Sequence, residues 1–129
     1  MFAALNLEAK HAVPSAVLQA FHSRFPQAQQ VHWQRESKTE YEASFTTGTQ
    51  KCSASFNPGG TWLETETQLA FTDLPAAIQQ AFHKRHPEKR IIESSRIEKP
   101  DGEMIYEVEF RTGKTRKEEL FKADGSIKS

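Results

Sequence analysis

The chain has 129 residues, with 17 basic and 17 acidic side chains and a formal charge of zero at pH 7. That balance excludes a general nucleic-acid binder, which needs a basic surplus to displace counterions, and it removes long-range steering of a charged partner. Hydrophobic residues at 36%, with nine Phe and two Trp, suffice for one ordinary core or two small ones, and the single Cys52 closes no internal disulfide.

Residues 1–12 read as a flexible N-terminal segment. Its apolar patch is too short for a signal-peptide core and has no basic residues ahead of it. No stretch approaches the roughly 18 apolar residues of a membrane span. The residues alone leave two compartments open: the cytoplasm, or export behind a removed leader.

The first unit, 13–66, opens with a helix between Pro14 and Pro26. Pro14 suits a first turn, where its missing N–H costs nothing, and Pro26 pushes the residue before it out of the helical region. Val13, Val17 and Phe21, flanked by Ala20 and Phe25, form one apolar stripe. Four strands follow. "QVHWQRE" leads to a turn at Ser37–Thr39. "EYEASFTT" alternates Tyr41, Ala43 and Phe45 against Glu42 and Ser44. Gly48 turns the chain into "KCSASF", where Cys52, Ala54 and Phe56 alternate with Lys51, Ser53 and Ser55. "NPGG" turns it into "TWLETET". A linker, 67–73, ends at Asp73, a candidate cap for the next helix.

The second unit, 74–129, repeats the first. Eight of fourteen positions match between "VPSAVLQAFHSRFP" and "LPAAIQQAFHKRHP". "YEASFTTG" then aligns with "YEVEFRTG", and "SFNPGGTW" with "LFKADGSI". The strands here are "RIIESSRIE", "MIYEVEF", "TRKEELF" and "SIK". The expected fold is α+β: two tandem repeats, each a helix on a four-stranded antiparallel sheet, as separate sheets or one continuous eight-stranded curved sheet. One passage disagrees. Lys117 and Glu119 fall where the first unit has Cys52 and Ala54, so a bulge or a register shift is expected there.

The residues with chemistry to offer form no catalytic set. His83 and His86 stand at i, i+3, but no Cys or carboxylate completes a metal site around them, and the first unit has Phe25 in place of His86. Cys52 beside His32 or His11 would make a nucleophile, yet its alternation with Ala54 and Phe56 marks a small buried group. "NPGG" precedes no helix and is a turn, not a phosphate loop. The pairs Glu64/Glu66 and Glu107/Glu109 read as solvated surface charges. Trp33 and Trp62 either pack in the core or anchor a binding surface.

The run "VP.AV..AF...FP.A", then "W", "YEA.F" and "SASF...G.WLETET", with "LP.AI..AF...HP" after it, resembles the PepSY-like, beta-lactamase-inhibitor-like (BLIP-like) domains over about Val13–Ser129. "GGTWLETET" followed by "DLP" is the most specific piece. The resemblance implies helix-plus-four-strand units in an exported, non-enzymatic protein, periplasmic or secreted.

On these grounds the chain is expected to be a monomeric binding module, acting on a protein or peptide as a peptidase or hydrolase inhibitor does. No cofactor, metal, nucleic acid or membrane insertion is expected. The alternative is a periplasmic carrier of a small ligand or metal. The candidate partner face is the polar row of both sheets: Glu42, Ser44, Lys51, Ser53, Ser55 and Trp62, with Glu107, Glu109, Arg111 and Arg116.

Overall fold

The computed structural model describes residues 5–6 and 12–129. The chain divides into two compact units, Met1–Glu66 and Thr67–Ser129. In the first, α1 (Ser15–Arg24) precedes β2 (Gln29–Ser37), β3 (Glu40–Thr47) and β4 (Gln50–Phe56), and β5 (Trp62–Leu69) begins there and ends past the division. A two-residue strand, β1 (Leu5–Asn6), pairs with β2 at Arg35 and Gln34. The other residues of the N-terminal segment, 1–4 and 7–11, lie outside the described residues. In the second, a 3₁₀ turn (Phe71–Asp73) leads to α2 (Ala76–Arg85), β6 (Arg90–Glu98), β7 (Met104–Thr112) and β8 (Thr115–Lys122).

Each helix buries the expected stripe. Val13, Val17 and Phe21 are at most 3% exposed, and so are Leu74, Ile78 and Phe82. Antiparallel register sets what they meet. Tyr41, Ala43 and Phe45 stand opposite Phe56, Ala54 and Cys52, and all of these turn toward α1. Tyr106, Val108 and Phe110 stand opposite Phe121, Glu119 and Lys117. The aromatic rings interlock edge to face: Phe21 lies 5.2 Å from Trp33 and 5.1 Å from Phe45, and Phe82 lies 5.3 Å from Phe110.

Several expectations need correction. The expected four strands in each unit are not all met: seven strands of seven to nine residues follow the helices, and "SIK", the expected fourth strand of the second unit, contributes only a single bridge, Phe121 with Ile127. β8 carries no bulge or register shift. Glu119 therefore does face the helix, in the place of Ala54, and its charge is met by a partner there. Asp73 does not cap α2. It sits in the 3₁₀ turn, Pro75 holds the cap position, and Gln79 donates to the Thr72 and Leu74 carbonyls instead, at 3.1 and 2.8 Å.

Two turns brace the helices. Gly60 and Gly125 both take φ +90°, and a Cβ on either would stand 2.7 Å from the Ala16 carbonyl oxygen or 2.6 Å from that of Ala77. The turn thus lies directly on the first turn of its own helix, a closeness only glycine permits.

Truncating the buried ring, Phe21→Ala or Phe82→Ala, should cost about 3–5 kcal/mol in urea unfolding; a loss below about 1 kcal/mol at both would contradict the packing. Gly102 shares the left-handed backbone (φ +88°) but faces open space. Gly102→Ala should therefore cost only backbone strain, on the order of 1–3 kcal/mol, and Gly60→Ala and Gly125→Ala distinctly more. Equal losses at all three would show that the helix contact contributes nothing.

Candidate functional site

The face of the first sheet turned away from α1 is built from cross-strand rungs. Gln34, Glu42 and Ser55 make one, His32, Ser44 and Ser53 the next, and Thr46 with Lys51 a third. Five of the predicted residues are thus brought together. The hydroxyls are recessed: Ser55 is only 4% exposed, while Lys51 stands in solvent. Glu42 is half-buried beside Ser55. Burial, and after it the charges of Glu36, Glu66, Glu40 and Glu64, push its carboxyl up to about 7. Glu36 and Glu40 stand close to Glu42 along the chain, but Glu64 and Glu66 come from β5, so the local sequence announces only part of the cluster. Glu42, expected only as one residue of the polar row, is thus a perturbed carboxylate.

On the second sheet the charges are sorted by rung. Glu93, Glu109 and Glu118 lie side by side, and one rung along lie Arg90, Arg111 and Arg116. Like charges directly opposite repel, and diagonal pairing relieves it: Arg116 donates to Glu109 at 2.7 Å. Glu107 stands between Ser95 and Leu120. The four predicted residues of this unit share one face.

Trp62 does not join the polar row. It packs against the α1 core, its indole N–H donates to Thr65 Oγ1 at 2.8 Å, and the Arg24 guanidinium lies 3.4 Å above its ring. Trp33 is a core residue at 7% exposure. Cys52 packs against the α1 core, with Thr47 Oγ1 3.6 Å from its sulfur. His32 is on the opposite face of the sheet, beside Ser44, and His11 lies outside the described residues. Asn57–Gly60 is a turn, tied by Gly60 N to Asn57 O at 2.9 Å.

Sequence reasoning missed the end of α2. Arg85 donates Nε and Nη2 to the two oxygens of Glu119 at 2.7 and 3.2 Å. His86 Nε2 meets the same carboxylate at 3.2 Å, and its ring stacks 4.4 Å from Phe110. Burial raises the Glu119 carboxyl, but the hydrogen bonds of Arg85 and His86 outweigh it and hold the group below the ordinary carboxylate value. The signal was present: the break in strand alternation at Glu119 coincides with His86 in the place of Phe25. Among the described residues, no group of three or more His, Cys, Asp or Glu is arranged to hold a metal ion.

Helix-on-sheet units with a polar outer sheet face define an α+β module of the BLIP-like kind. The family described as "Putative beta-lactamase-inhibitor-like, PepSY-like" matches residues 5–50 and 39–128. The chain belongs to the PepSY-like family. Solved structures share its fold. A BLIP-like protein of Bacteroides fragilis is 22% identical with a TM-score of 0.78, over 90% of this chain and 84% of that one. A DUF2874 family protein of Bacteroides ovatus is 20% identical at 0.80, over 88% and 83%. One of the "putative periplasmic proteins" of Bacteroides eggerthii is 20% identical at 0.83, over 89% and 85%. No curated protein is significantly similar. No helix among the described residues is long and apolar enough to cross a membrane.

Two of the perturbed carboxylates have opposite pH signatures. Glu42 titrates higher in the folded state than its ordinary 4.5, at about 7. Its contribution is most favourable below 4.5 and is lost as pH rises through about 7. Glu42→Gln should raise Tm at pH 8 and flatten the profile between these values. Glu119 titrates lower when folded, so its contribution is present above 4.5 and is lost as acid protonates it. Glu119→Gln should lower Tm at pH 7, with the gap to wild type closing below pH 4.5. Thermal melts across pH check both; a Glu42→Gln variant less stable than wild type at pH 8 would reverse the first assignment.

Proposed function

We propose that the chain is an exported, non-enzymatic binding module that takes a protein or peptide partner on the outer faces of its sheets, as a monomer. The observation that carries this is Glu42. A half-buried carboxylate beside recessed serines, ringed by four other carboxylates, opposes its own ionisation and offers a partner's cationic side chain a site that its arrival would relieve. The sorted rungs of Glu93, Glu109 and Glu118 and of Arg90, Arg111 and Arg116 offer the second unit a charge pattern suited to a protein surface rather than a small molecule. The periplasmic description of the B. eggerthii protein supports export, and the BLIP-like name of the B. fragilis protein supports the narrower reading, inhibition of a hydrolase.

The test compares affinity capture from a periplasmic extract by wild type, by Lys51→Glu and Arg111→Glu on the outer sheet faces, and by Gln19→Lys and Gln80→Lys on exposed helix positions. All four sites are exposed, so Tm should hardly change. The sheet variants should lose the captured partner and the helix variants should keep it. The reverse outcome places the binding surface on the helices.

A further inference from the structure

We infer that Arg24, held over the ring of Trp62, is a docking point for a side-chain carboxylate of a protein partner. The site is separate from the sheet faces just described, and its test does not depend on them.

The two helix ends are built alike. Their backbones match. Phe25 N donates to Phe21 O at 2.8 Å, and His86 N donates to Phe82 O at 2.8 Å. The residues that follow the two helices share their torsions, φ −127° and ψ 66° at Phe25, φ −134° and ψ 67° at His86. Arg24 and Arg85 therefore leave equivalent positions. Arg85 closes its planar fork on both oxygens of Glu119, at 2.7 and 3.2 Å, the bidentate geometry that guanidinium and carboxylate share.

In the first unit the internal carboxylate is gone. The counterpart of Glu119 is Ala54, 1% exposed, and that of His86 is Phe25. The arginine is kept. The counterpart of Ile127 is Trp62, and the guanidinium carbon of Arg24 stands 3.4 Å from the centre of that ring. A cation held over a ring face engages the π system and leaves its N–H donors to other partners. Arg24 is exposed and makes no hydrogen bond or ion pair among the described residues. A fork that in one repeat holds a carboxylate is thus preorganised in the other, on an aromatic platform, with its donors unspent. Holding the side chain in place before binding lowers the ordering cost that a free surface arginine would carry.

The experiment is a titration of the ¹⁵N-labelled full chain with acetyl-Gly-Glu-Glu-Gly-amide, whose carboxylates are on side chains only, and with its Gln-Gln counterpart. The Arg24 Nε–H and Trp62 indole N–H signals should shift together and saturably with the Glu peptide. The Gln peptide should bind about tenfold more weakly or worse. Arg24→Lys keeps the charge but not the fork and should lose most of the affinity. Arg85→Gln, in the other repeat, should leave it unchanged while lowering Tm. Equal binding of the two peptides, no saturable shift at Arg24, or full affinity in Arg24→Lys would each overturn the assignment.

Discussion

One buried ring per unit sets the rest of the structure. Phe21 and Phe82 are fully buried, each touching rings from its own sheet. Their position depends on two constraints at the opposite end of the helix. Proline stands at the cap, and a glycine turn presses on the first turn so closely that a single methyl group would collide with a carbonyl oxygen. Helix, turn and sheet are thereby fixed to one another in each unit, and the sheet's second row is left for other uses.

The repeats diverge where that frame allows it. The arginine at the helix end is retained in both. In one unit it faces Trp62 above an all-apolar layer of Phe25 and Ala54; in the other it faces Glu119 together with His86. These are alternative ways to accommodate a cation next to a core, one through a ring's π face and one through a carboxylate. Each set is consistent within itself. Ala54→Glu alone would place a charge among Phe25, Phe45 and Trp33 with no histidine beside it.

Much of the fold was legible because the chain states it twice. The stripe Val17–Phe21 and its copy Ile78–Phe82 marked both helices, and strand alternation placed Tyr41, Ala43 and Phe45 inward. What escaped depends on distance along the chain. Glu119 looked like a register error because its partner Arg85 is 34 residues away on another element. Glu42 looked like any other member of the polar row because burial and two of the carboxylates that raise it, Glu64 and Glu66, come from elsewhere in the fold. Trp62 stayed open between core and partner face because the residue that covers its ring, Arg24, stands far back along the chain on α1. "SIK" looked like a strand because its counterpart is one, although only Ile127 forms a bridge.

The sorting of charge on the second sheet has a geometric consequence. Adjacent rungs on one face are two residues apart, about 6.8 Å along a strand, which is shorter than the screening length of about 8 Å at physiological salt. At the surface the signs are therefore distinct, while a short distance out they cancel, in keeping with the molecule's zero net charge. Such a striped field reads like a vernier. A partner displaced by a single rung toward the arginines meets the opposite charge where it met glutamates.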